Sequence, residues 1–212
     1  MKIGIIGSGA VAQALGLGFV GRGHEAKLGS RSPEKLEGWL SEAGRGASAG
    51  TMEEAATFGE LLVLACKGTE TESAIEAAGP EHLRGKVLID VTNPLVPSDE
   101  GLPRLAYGPA DSGGEVVQRA LPDTRVVKTL NIVNNSQMVD PEAEGGPPTM
   151  LVAGDDAEAK RQVAGILDDF GWEDVVDIGG IEASRELESL CVLWVRYALP
   201  NDARHAVFRL LR

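Results

Sequence analysis

Short, solid apolar runs alternate with amphipathic stretches along most of the chain. The runs Lys2 to Ile6, Glu25 to Gly29, Ala47 to Gly50, Leu61 to Cys66, Lys86 to Val91 and Arg125 to Val133 read as strands. Between them, helical spacing and end signals predict helices. Val11 to Val20 is closed by Gly21 and Gly23. Ser32-Pro33 opens a helix to about Ala43, and capping boxes at Thr51/Glu54 and Thr69/Glu72 open two more. Glu115 to Leu121 makes a further helix after a Pro- and Gly-rich loop, 93–114, long enough to suggest a functional role. A second loop, 140–148, precedes a strand (Thr149 to Ala153), a helix opened by Asp155 with Glu158, and a strand (Trp172 to Ile178). A helix from Ile181 to about Leu199 and a short one from Asp202 follow. Strands that are apolar throughout, not in alternation, belong to a parallel sheet covered on both faces. The fold expected is α/β: a Rossmann-like, doubly wound, mostly parallel sheet with a short C-terminal helical extension. Residues 1–145 would form the nucleotide-binding part, and 146–212 a strand-helix-strand-helix extension packed on the same sheet, the two making one continuous domain.

Composition narrows the function. The 212 residues are 43% apolar and 25% charged, with 27 glycines and few aromatics, which suits helices packed closely on a sheet. A net charge of −12 repels phosphate backbones and argues against general nucleic-acid binding, while leaving room for one cationic pocket. Cys66 and Cys191 are too few for a disulfide framework and lie in apolar runs, so they read as buried thiols in a reducing, cytoplasmic setting. Ile3 to Gly21 is nearly uncharged after Lys2, like a signal or membrane segment. Its six glycines and Gln13 argue against that, and no membrane partner is expected.

The chemistry starts at Gly7-x-Gly9-x-x-Ala12, between the first strand and first helix. The first glycine permits the tight turn. The second lets backbone approach a pyrophosphate, and the small third residue lets helix and strand pack. Gly7, Ser8, Gly9, Ala10 and Val11 are thus candidate dinucleotide-binding residues at a helix N-terminus. The plain alternative is a tight turn with no ligand. The second strand ends in Gly29-Ser30-Arg31-Ser32-Pro33-Glu34-Lys35, with no acid at the strand end for ribose hydroxyls. Ser30, Arg31 and Lys35 instead offer a hydroxyl, a planar fork of donors and an ammonium to the 2′-phosphate of NADP. The alternative is that both cations are ordinary surface charges.

The opening KIGIIGSGAVAQALG, then GSRSPEK, VLIDVTNP, VVKTLNIV, MLVAGDDAEAK and EASRELESL resemble the deazaflavin (coenzyme F-420)-dependent NADP oxidoreductases. They also resemble the cytosolic oxidoreductase domain of the six-transmembrane metalloreductases (STEAP). The resemblance implies hydride transfer between NADP(H) and a deazaflavin, or FMN or FAD, as a small-molecule acceptor. It carries pyrophosphate binding to Gly7 to Val11 and 2′-phosphate binding to Ser30, Arg31 and Lys35. It places Asn93-Pro94 and Asn131 to Val133 near the nicotinamide, with Asn131 the candidate catalytic residue. The chain departs in having Asn131 where some members carry His, and in showing no second basic cluster for the anionic deazaflavin tail.

Other residues stay open. Cys66 ends the fourth strand and Lys67 follows it at the ligand edge of the sheet, and both are candidate cofactor contacts; Lys67 reads equally well as an exposed loop residue. His24, His82 and His205 have no metal spacing, so no metal is expected. Tyr107 and Tyr197 lack a Lys four residues on. Leu187, Leu190, Cys191, Trp194 and Ala198 form a helical stripe: core, a homodimer face, or an apolar wall over the nicotinamide. Two other readings of function remain, an NADPH-dependent reductase of a small carbonyl or imine and a non-catalytic NADP redox sensor.

Overall fold

The structure is a computed structural model that describes residues 1–99 and 101–212; Glu100, inside the first long loop, lies outside the described residues. Its frame is a six-stranded parallel sheet in the order β3-β2-β1-β4-β5-β8. The strands are β1 (Lys2–Ile6), β2 (Glu25–Gly29), β3 (Ala47–Gly50), β4 (Leu61–Leu64), β5 (Val87–Asp90) and β8 (Arg125–Lys128). The connecting helices are α1 (Ala10–Gly21), α2 (Glu37–Ala43), α3 (Met52–Phe58), α4 (Thr71–Ala78), α5 (Pro80–Leu83) and α6 (Gly113–Ala120). A short antiparallel ladder, β6 (Leu95–Val96) with β7 (Arg104–Leu105), lies in the first long loop.

The solid apolar strands have a direct cause. Successive side chains point to opposite faces, and both faces are covered. Leu61 and Val63 join the core that contains Leu15 and Phe19 of α1. Leu62 and Leu64 join the core that contains Ile75 of α4 and Val117 of α6. Helix α1 packs closely because it presents Gly16 to Trp39, whose Nε1 donates to the Gln13 carbonyl at 3.1 Å. The strand order changes direction between β1 and β4, where a crevice opens at the carboxyl ends.

The C-terminal part builds β9 (Thr149–Val152), α7 (Ala157–Asp169), β10 (Asp174–Asp177) and α8 (Ser184–Ala198). β9 and β10 form their own parallel pair, and an antiparallel bridge between Lys128 and Ala153 joins that pair to β8.

Several local expectations are corrected. The Thr69/Glu72 capping box does not form; α4 starts at Thr71 with Glu70 at its N-cap and no side-chain cap. Asp156, not Asp155, caps α7 by accepting the Ala159 N–H at 2.7 Å, while Asp155 accepts the Ile181 N–H at 2.8 Å. β8 ends at Lys128, and Leu130 is left-handed at φ 58°, so Arg125 to Val133 is not one strand. The helix after Pro33 begins as a 3-10 turn, Pro33–Leu36. No helix forms from Asp202 onward. The tail instead lies against β9, with Thr149 N–H donating to the Phe208 carbonyl at 2.8 Å. The sequence signals were the right residue types, but tertiary hydrogen bonds drew them elsewhere.

Candidate functional site

A groove of about 650 Å³ runs along the carboxyl ends of the strands. That is within the range of small-molecule sites. Its floor is the turn from β1 to α1. Gly7 has φ 141°, and a Cβ there would collide with the Ala65 carbonyl, so the turn needs glycine. Gly9 is different: nothing lies within 4 Å of where its Cβ would be, so its backbone faces open space. Ala12 is fully buried beneath the turn. The first turn of α1 carries no acidic side chain, and Gly9 makes no side-chain cap, so its N–H groups are open to an anion.

Gly7, Ser8, Gly9, Ala10, Val11, Ser30, Arg31, Lys35, Cys66, Lys67 and Asn93 all line this one groove. Pro94 and Asn131 do not. Pro94 is buried beside Gly68 and the start of α6. Asn131 is only 2% exposed. Its Nδ2 donates to Asn93 Oδ1 at 2.9 Å and to the Leu187 carbonyl of α8 at 3.0 Å. The Asn93 Nδ2 donates back to the Asn131 carbonyl at 2.7 Å. Asn131 therefore holds a groove residue against the C-terminal helix from behind.

At the β2 end, Ser30 Oγ accepts the Ser32 N–H at 3.0 Å, which folds the Gly29–Pro33 loop back on itself. Arg31 and Lys35 are exposed at that rim. Burial, reinforced by the Asp90 charge, pushes the Cys66 thiol up to about 12. It is half-buried in the groove rather than in the core, whereas Cys191 is buried.

Two features were not singled out from the sequence. One is Glu70, a carboxylate in the groove wall. The other is a buried ion cluster one residue behind the groove. Lys128 Nζ lies 3.0 Å from both Asp90 Oδ2 and Glu188 Oε1, and donates to the Thr92 carbonyl at 2.6 Å. Asp90 Oδ1 accepts the Thr92 N–H and hydroxyl at 2.9 and 2.7 Å. Glu188 accepts the Gly113 and Gly114 N–H groups at the start of α6. Burial alone would pull the ammonium down, but the two carboxylates outweigh it and the pKa is raised. A signal did exist. Lys128 and Asp90 are opposite charges at the ends of two strands, each directly after buried apolar residues, and such charges need each other.

Comparison with known proteins identifies the framework. The signature of the coenzyme F420-dependent NADP oxidoreductases matches residues 2–94. The F420-dependent NADP reductase of Methanothermobacter marburgensis is 30% identical over 227 aligned positions, covering 99% of this chain and 98% of the relative. The chain belongs to the coenzyme F420-dependent NADP oxidoreductase family. A solved Arthrobacter sp. FB24 protein, described as a candidate F420-dependent NADP reductase, is 37% identical, with a TM-score of 0.95 and complete coverage of both chains. The rat metalloreductase STEAP3 is 29% identical over 189 residues, 89% of this chain but 36% of that relative's length. The expected resemblance and the Rossmann-like fold thus hold. A reductive aminase from Aspergillus terreus shares the fold at a TM-score of 0.68 and 21% identity. Among the described residues, no helix is long and apolar enough to cross a membrane, and no group of three or more His, Cys, Asp or Glu could hold a metal.

Proposed function

We propose that the groove binds NADP(H) and aligns its nicotinamide for hydride exchange with a deazaflavin, or with FMN or FAD. The observation that carries this reading is the joining of an open phosphate turn and a cationic rim, Ser30, Arg31 and Lys35, on a strand end with no acid of its own, in one groove. Gly7 to Val11 would hold the pyrophosphate with backbone N–H groups. The 2′-phosphate would lie against Arg31 and Lys35, with Cys66 and Lys67 on the ribose side of the turn. The nicotinamide would extend toward Thr92 and Asn93, beyond the β1/β4 switch point. When bound, the nicotinamide supplies or takes the hydride, and the deazaflavin or flavin is its partner.

The protein's own part is to orient and to exclude water. Asn131 would steady Asn93 through their paired side chains, a positioning role in place of direct contact. Cys66, with its raised pKa, holds its proton too tightly to act as a general acid near neutral pH. A carbonyl or imine acceptor would need a proton donor beside the nicotinamide, and Cys66 is poorly matched to that role.

Residues 1–145 and 146–212 would work as one unit, supported by the Lys128–Ala153 bridge and the hydrogen bond from Trp172 Nε1 to the Met138 carbonyl. A homodimer through the C-terminal helix is supported by exposed Leu193, Tyr197 and Leu199 on and after α8. Light scattering tests that arrangement. Two free thiols fit the cytoplasm.

Stopped-flow oxidation of NADPH against deazaflavin, FMN, FAD, quinones and small carbonyls tests the reaction. Deazaflavin or flavin should be reduced faster than any aldehyde or ketone. Clear carbonyl turnover without a flavin response would replace this reading with the small-substrate reductase. Binding of NADPH with no turnover of any acceptor would leave the sensor.

A further inference from the structure

Among the described residues lining the groove, Glu70 is the only carboxylate, set against three cations, Arg31, Lys35 and Lys67. It stands at the N-cap of α4 without making a capping hydrogen bond. Instead Arg31 Nη2 donates to Glu70 Oε2 at 3.3 Å, and Lys67 Nζ lies 3.7 Å from Oε1. The ion pair links the loop after β2 to the connection after β4. It therefore engages the residue best suited to read a 2′-phosphate.

The chemistry of that contact is competitive. A carboxylate and a phosphate ask the guanidinium for the same fork of donors, and they repel each other. A carboxylate is also the group that takes ribose hydroxyls in NAD sites, and β2 ends without one. Glu70 supplies a carboxylate from the opposite wall.

We infer that Glu70 is a specificity-determining residue that competes with the ribose 2′-phosphate for Arg31 and so restrains the preference for NADP(H) over NAD(H). This rests on the proposed cofactor reading of the groove. Arg31 and Lys67 are largely exposed, and Glu70 partly so, which limits the effect to the scale of a surface ion pair.

The test is calorimetric titration of NADPH and NADH into wild type, Glu70→Gln, Glu70→Ala, Arg31→Ala and the Arg31→Ala/Glu70→Gln double variant. Circular dichroism checks the fold of each. Both Glu70 variants should bind NADPH about two- to five-fold more tightly and NADH no more tightly than wild type. The gain should shrink when Arg31 is absent. Weaker NADPH binding would mean that Glu70 steadies Arg31 for the phosphate, and would overturn the inference. Equal changes for both cofactors, no change, or a gain of full size without Arg31 would overturn it as well. Failure of wild type to bind either nucleotide would instead remove the cofactor reading itself.

Discussion

The two ends of the groove carry ion clusters of opposite make-up. At the β2 end, two cations share one acid: Arg31 and Lys67 flank Glu70, with side-chain exposures of 78%, 81% and 38%. Behind the β5 end, two acids share one cation: Asp90 and Glu188 flank Lys128, and none exceeds 1%. The residue types are alike, and burial decides what they do. Water screens the first cluster, so its pairs exchange easily for a ligand's charge. The second cluster has no water to fall back on. Each charge there must keep its partners, so it fixes the backbone of Thr92, the start of α6 and helix α8 together.

The largest effect is expected at Lys128. Lys128→Met leaves two buried carboxylates without their cation and should cost about 3–5 kcal/mol in urea unfolding. Adding Asp90→Asn and Glu188→Gln should restore part of the loss, since the orphaned charges are then gone. A single-variant cost near that of an exposed pair would erase the distinction between the two ends.

Asn131 tests the same end more gently. Asn131→Ala should destabilise by about 1–3 kcal/mol, because Asn93 Oδ1 and the Leu187 carbonyl lose a donor. Turnover should fall while NADPH affinity stays within a few-fold. Loss of NADPH binding in a folded variant would assign Asn131 to the cofactor site.

At the exposed end the effects are smaller and belong to the ligand. Arg31→Ala should weaken NADPH about tenfold, the lower edge for a charge-assisted hydrogen bond, and leave NADH nearly unchanged. Lys35→Ala should do less. The NADPH preference should narrow as salt rises. Equal losses for both nucleotides would mean that Arg31 serves the adenine or the fold.

The smallest effect concerns Cys66. Its thiol is held up at about 12, so alkylation at pH 8 should be far slower than for a free cysteine. Bound NADPH should slow it further. The unfolded thiol ionises near 9 while the folded one keeps its proton to about 12, so this contribution is intact below pH 9 and is lost as pH rises toward 12. Cys66→Ala should flatten that part of the pH profile, leaving the share of Cys191, which is raised likewise. Fast alkylation at pH 8 would show that the groove wall opens at Cys66.

What the sequence determined by itself was whatever depends on residues close along the chain. Strand and helix alternation, the β1–α1 turn and the rim at Ser30, Arg31 and Lys35 each need only a few neighbours, and β1, β2 and β3 fall on their expected residues. The Thr51/Glu54 capping box also formed as read, because its two hydrogen bonds lie within one turn. Tertiary structure decided the rest. The Thr69/Glu72 box yielded to a helix start at Thr71, and the segment after Asp202 lay down along β9 instead of coiling. Asn131 was expected inside the sixth strand and, by the family resemblance, near the nicotinamide, yet the left-handed turn at Leu130 and the approach of α8 put it behind Asn93. Lys128 and Glu188 are 60 positions apart and meet only once the sheet and α8 are packed. Local propensity acts through bonds a few residues long. Burial and charge pairing act through space, and only the folded chain defines which distant groups share it.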